Sequence, residues 1–159
     1  MTRLITVALC LVVGALAATS AQETSRLFVV VVEGFAGPMP TADPCVLANN
    51  EHGTGHATHL GAMTWTSQET VNLCAGPDGA EVTGQIVITA ADGDQLTASY
   101  DTIAVLDFGA NQVTALGQFV ITGGTGRFAA ATGQGTIGVE GSLSPPFEVV
   151  GSMSGRISY

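Results

Sequence analysis

The sequence predicts an all-β protein: a single eight-stranded antiparallel barrel that follows a cleavable export leader. Three observations predict the barrel. Apolar and polar residues alternate with period two along most of the chain, no stretch of about ten residues past the leader carries a helical apolar period, and turn-forming residues separate the alternating segments.

The leader comes first. Arg3 supplies a positive start, residues 4–18 are apolar or small throughout, and Thr19, Ser20 and Ala21 form a small-residue cleavage site before Gln22 and Glu23. A retained membrane anchor is the rival reading, but about 15 residues fall short of the ~20 needed to cross a bilayer core. Cys10 follows Leu9, where a lipoprotein signal would carry a small residue, so lipidation is not expected. Cleavage after Ala21 leaves residues 22–159, a length suited to one domain and one core.

Within that domain the expected strands run in order. The first is an apolar strand at 27–35, followed by strands at 55–61, 63–73 and 82–90. Leu96, Ala98 and Tyr100 then alternate with Thr97, Ser99 and Asp101. Val113, Ala115, Gly117, Phe119 and Ile121 oppose Gln112, Thr114, Gln118 and Thr122. Ala131, Gly133, Gly135, Ile137 and Val139 oppose Thr132, Gln134, Thr136 and Glu140. The last strand places Phe147, Val149, Gly151, Met153, Gly155, Ile157 and Tyr159 on one face. Turns are expected at Gly76-Pro77-Asp78-Gly79, Asp92-Gly93-Asp94, Gly109-Ala110-Asn111, Gly123-Gly124-Thr125-Gly126 and Ser144-Pro145-Pro146. Only 36–51 reads as a long connection. Eight strands joined in sequence by tight turns suit an up-and-down barrel, with a two-sheet sandwich as the alternative. A local echo 33 residues apart, beginning at Gly84-Gln85 and Gly117-Gln118, is read as convergence or an old hairpin duplication.

Charge and cysteine content narrow the partners. Arg3 leaves with the leader, so three arginines face 13 acidic residues and the net charge moves from −9 to −10, with no lysine anywhere. Phosphate backbones and anionic headgroups repel such a surface, so neither nucleic acid nor a membrane is expected as a partner. Cys45 and Cys74 remain in a chain sent to an oxidising compartment, secreted or periplasmic, and a disulfide between them is expected; two free thiols or a metal pair is the alternative.

The run Gly123-Gly124-Thr125-Gly126-Arg127-Phe128 and its continuation to Thr136 resembles the Gly-Gly-Thr-Gly-x-Phe segment of bacterial allene oxide cyclase barrel-like domains. It is also similar to the related segment of plant allene oxide cyclases and dirigent proteins. Ala57-Thr58-His59-Leu60-Gly61 and the closing Gly155-Arg156-Ile157-Ser158-Tyr159 resemble two further patches of the bacterial group, and together the three touch about a third of the chain past the leader. The resemblance implies an eight-stranded antiparallel barrel. It does not carry an activity across, because Glu33 is followed by Gly34 and Phe35 without the asparagine and proline of the plant cyclases, and Thr132-Gly133-Gln134 stands where dirigent proteins have an Arg-Gly-Tyr patch.

Four motifs are weighed for chemistry. His52, His56 and His59 have a spacing that can bind zinc on a helix; on a strand His59 points away from the other two, and solvated histidines are the plainer reading. The literal GxGxxG at 133–138 lies within an alternating strand and not at a helix start, so it is not a nucleotide site and no cofactor is expected. Gly151-Ser152-Met153-Ser154-Gly155 holds methionine where a nucleophile elbow needs serine. Asp92-Gly93-Asp94 is accounted for by a hairpin turn without calcium.

Glu69 shares the parity of Met63, Trp65, Val71 and Leu73, which would aim its carboxylate into the barrel. A bulge turning it outward, or a structural partner such as Arg127 or Tyr100, is the alternative. Glu33, at the end of an apolar strand, has the same ambiguity. Catalytic candidates are therefore Glu69, Glu33 and Tyr100, and ligand-binding candidates are Trp65, Phe119 and Phe147. The expected function is a secreted barrel that binds a small apolar molecule in its lumen or contacts another protein; a cyclase or isomerase using a lumen carboxylate and a purely structural module are the alternatives.

Overall fold

Eight long strands follow one another in the computed structural model, which describes residues 24–76 and 79–159. They are β1 (Arg26–Pro40), β2 (Val46–Ala57), β3 (Gly61–Asn72), β4 (Ala80–Ala90), β5 (Gln95–Asp107), β6 (Gln112–Gly124), β7 (Thr132–Ser142) and β8 (Glu148–Ser158), with a 3-10 turn at Gly126–Phe128. Each strand pairs antiparallel with its neighbour in sequence, and β1 also pairs with β8, closing the ring. The barrel is thus an up-and-down one and the sandwich alternative falls. The expected leader, residues 1–21, lies outside the described residues.

The expected connection over 36–51 is mostly strand. β1 continues to Pro40 and β2 begins at Val46, with Ala36↔Glu51 and Pro38↔Asn49 in register. Gly37, Pro38 and Pro40 resemble breakers, but the ladder explains why they do not break. Pairing of β1 with β8 stops at Phe35↔Glu148, and the Ala36 N–H turns aside to the Phe147 carbonyl at 2.9 Å. Pro38 and Pro40 share the parity of Ala36, so their missing N–H groups fall on a side with no strand to receive them.

The lumen divides into two halves. At one end the inward residues Phe28, Trp65, Ile88, Leu96, Phe119, Ile121 and Ile157 are fully buried, and Phe128 on the 3-10 turn closes the barrel with no exposed surface. Phe28 and Phe119 meet edge to face with ring centroids 6.0 Å apart. A Cβ at Gly135 would stand 2.8 Å from the Phe119 ring, so glycine there is the space the aromatic occupies. Arg127 clamps this end: its guanidinium lies 4.7 Å from the centroid of Phe128, pairs with Asp92 and Asp94, and donates to the His59 carbonyl at 3.2 Å. The Gly-Gly-Thr-Gly-Arg-Phe run and the Asp92-Gly93-Asp94 turn therefore build a plug together.

At the other end the turns after β1, β3, β5 and β7 surround an opening. Cys45 and Cys74 stand side by side on its rim at disulfide-bonding distance, with Cα atoms 5.3 Å apart, tying the β1–β2 turn to the β3–β4 turn. Among the described residues no helix is long and apolar enough to cross a membrane.

Candidate functional site

Below that opening lies a cavity of about 310 Å3. Its walls are mostly aliphatic, from Val32, Ala36, Val71, Val82, Leu106, Val113 and Val139, and the buried indole of Trp65 contributes to its lining. Phe147 and Phe108 stand among its lining residues on the turns at the open end. One sector of the wall is polar and carries Asn49, Glu51, Ser67, Glu69 and Tyr100.

The strand register assembles this polar sector. Asn49 sits directly opposite Glu69, and Glu51 opposite Ser67, on neighbouring β2 and β3. Tyr100 lies two strands from Glu69, with Gly84 between them in register. A side chain at Gly84 would run into the Tyr100 ring, so the tyrosine reaches across β4 only because that position is bare.

A directed hydrogen-bond chain follows. The Gly37 N–H donates to Asn49 Oδ1 at 3.0 Å, which orients the amide so that Nδ2 donates to Glu69 Oε1 at 2.7 Å and to Glu51 Oε1 at 3.2 Å. The Tyr100 hydroxyl donates to Glu69 Oε2 at 2.7 Å. Its single proton is then committed, so the Ser67 hydroxyl, 2.5 Å away, donates to the Tyr100 oxygen. Both oxygens of Glu69 are satisfied by protein groups. Among the described residues, Glu51 Oε2 takes no hydrogen bond, and no fully enclosed polar atom lacks a partner, so that oxygen looks onto the cavity.

Electrostatics separate the two acids. Burial, and secondarily the charge of Glu69, pushes Glu51 up to about 8, against a smaller opposing effect from the Asn49 hydrogen bond. Glu51 is thereby protonated at neutral pH and can act as a donor. Burial and the same Glu69 charge also raise the Tyr100 hydroxyl well above the ordinary tyrosine range, so it remains a donor at any physiological pH.

Of the residues singled out in the sequence, Glu69, Tyr100, Trp65 and Phe147 meet at this cavity. Glu69 points inward as its parity predicts, in an unbroken ladder without a bulge, and its partners are Tyr100 and Asn49. Arg127 is not among them, because it is engaged at the closed end. Phe119 packs in the closed half and does not line the cavity. Glu33 is exposed on the outer face of β1, since the strand's inward residues are Phe28, Val30 and Val32. Only its backbone is drawn into the interior, where its carbonyl accepts from Trp65 Nε1 at 3.3 Å.

His52 and His56 are exposed on the outside of β2, and His59 occupies the following turn with φ of 70°, its ring nitrogen 2.8 Å from the Leu27 carbonyl. Among the described residues no group of three His, Cys, Asp or Glu side chains converges. Sequence reasoning missed Asn49, Glu51 and Ser67. The parity of Leu47, Asn49, Glu51, Gly53 and Gly55 was available, but polar residues occupy both faces of β2 and hide it. Outside the barrel, Val31, Leu116 and Val150 flank an open groove floored by Gly138 and Gly151. Compared with known proteins, the chain matches no family model and no curated sequence.

Proposed function

We propose that this protein is an exported barrel that binds a small apolar molecule in the open half of its lumen. The observation that carries the reading is the 310 Å3 cavity, aliphatic on most sides with both its acids gathered beside Asn49, Ser67 and Tyr100 in one sector. That is the ordinary composition of a small-molecule site, at the lower end of the roughly 300–1,000 Å3 range. The Cys45–Cys74 pair supports a secreted or periplasmic location. On β3 the outward residues Thr64, Thr66, Gln68 and Thr70 are polar, while Val31, Val105, Leu116, Val120 and Val150 leave apolar side chains exposed on β1, β5, β6 and β8. The eight-stranded ring is in keeping with the resemblance to allene oxide cyclase barrel-like domains.

The test is titration with an apolar fluorophore while following Trp65 emission, in wild type and in Val71→Phe, which narrows the cavity from its wall. Saturable binding weakened at least about tenfold in the variant, with unchanged circular dichroism, supports the reading. No binding, or binding indifferent to Val71→Phe, overturns it.

A second reading rests on the acid pair bridged by Asn49: a protonated Glu51 beside the Glu69 carboxylate could move a proton within a bound substrate, as an isomerase requires. Its test is deuterium incorporation next to the carbonyl of a bound ketone in D2O. Incorporation lost in Glu69→Gln supports it, and incorporation no faster than in buffer refutes it.

A further inference from the structure

Resting on the lumen-site reading, a finer statement about the ligand is available from what the cavity contains and what it lacks. Among the described residues its charged and titratable side chains are Glu51 on β2, Glu69 on β3 and Tyr100 on β5, and no Arg or His lines it. The charged groups nearby in sequence are turned away: Glu33 on β1, and His52 and His56 on β2, are exposed outside the wall.

We propose that the cavity selects a neutral ligand carrying a hydrogen-bond acceptor oxygen, a ketone, aldehyde or ester on a short aliphatic body, and rejects carboxylates of the same shape. The acceptor oxygen would take its hydrogen bond from Glu51 at Oε2, the one oxygen of the acid pair that the protein leaves unpartnered. Asn49, Ser67 and Tyr100 spend their side-chain protons on one another and on the two acids, so among the described residues the donors left facing the space are Glu51 and the neighbouring Thr102 hydroxyl, and of the two only Glu51 titrates. A bound carboxylate would meet the Glu69 charge across an apolar interior with no cation to offset it, and its own desolvation would go uncompensated.

Ionisation of Glu51 removes the donor and adds a second negative charge, so ketone affinity falls as pH rises through about 8. Glu51→Gln keeps an N–H donor and does not titrate.

The experiment is calorimetric titration of the intact protein with 2-octanone and with octanoate, two probes of equal chain length. At pH about 6.5, 2-octanone should bind saturably and octanoate at least about tenfold more weakly; between pH about 6.5 and about 9.5 the ketone should lose about tenfold in wild type and less than about twofold in Glu51→Gln. Octanoate binding as tightly as the ketone, or ketone affinity equal on both sides of pH 8 in wild type, would overturn the inference while leaving the lumen site standing. If neither probe binds, the lumen-site reading itself fails, and the ligand assignment with it.

Discussion

Replacing Glu51 by glutamine should abolish the pH dependence of stability that this one side chain imposes. The carboxyl titrates at about 8 in the folded barrel against 4.5 when free, so between those values the native state holds a proton that the unfolded chain has released. Stability therefore falls as pH rises through this window, because the unfolded state binds fewer protons. At about 1.4 kcal/mol for each tenfold change in proton affinity, raising the carboxyl from 4.5 to about 8 is worth on the order of 5 kcal/mol, an upper bound that local relaxation and water entry reduce. If about 3 kcal/mol is realised, the wild-type melting temperature should drop relative to Glu51→Gln by roughly 10 °C between pH about 4.5 and about 9. Below the window the two proteins should be of similar stability; above it the variant should be the more stable. Denaturant unfolding at a series of pH values, read by Trp65 fluorescence, checks this. A stability difference that stays constant across the window, or that moves in favour of wild type as pH rises, would refute the assignment of a buried, protonated Glu51.

The other predictions concern the scaffold around that residue. Gly84→Ala should displace the Tyr100 ring and break its 2.7 Å bond to Glu69, costing roughly 2–4 kcal/mol by denaturant titration. Phe128→Ala should open the closed end and cost roughly 3–5 kcal/mol, because Phe128 has no exposed surface, and a loss under about 1 kcal/mol would contradict the plug. Cys45→Ser, or reduction of the wild type, should remove a cross-link spanning 29 residues and cost roughly 3–4 kcal/mol on the chain-entropy estimate, with free-thiol titration confirming the bond in the starting protein.

How far the sequence could be read depended on whether one face of each strand is uniformly apolar. On β3, Met63, Trp65, Ser67, Glu69 and Val71 stand opposite an unbroken run of polar residues, so parity alone aimed Glu69 into the lumen. Strands β6 and β8 were legible in the same way, and their glycines marked where aromatics or neighbouring backbones approach. On β2 both faces are polar, Asn49 and Glu51 inward and Asn50 and His52 outward, so period two leaves no trace in hydropathy. The prolines of β1 misled for a related reason. Their cost depends on whether a partner strand stands on their side, which is a fact of closure and register and not of local composition. The position of Glu33 was undecidable for the same cause: it ends an apolar run, and only the pairing of Val32 and Gly34 with β8 shows which way it turns.

The two halves of the lumen explain each other energetically. A pair of acids beside a tyrosine, largely removed from water, is a net cost that its hydrogen bonds reduce without making it a source of stability. A small domain has only about 5–15 kcal/mol to lose, so such a cluster persists only where other contacts overcompensate. Here they do so at a distance. Phe28, Phe119, Phe128, Ile88, Leu96, Ile157 and Val30 are all but fully buried in the closed half, each worth roughly 1.5–3 kcal/mol of apolar transfer. The Cys45–Cys74 link then restrains the open rim, where few apolar contacts could. If this division is right, replacing the acids with apolar side chains of similar size, as in Glu51→Leu with Glu69→Met, should raise the melting temperature while weakening ketone binding in the lumen. A double variant that is less stable than wild type at pH about 7 would instead mean that the polar cluster is part of what holds the barrel closed.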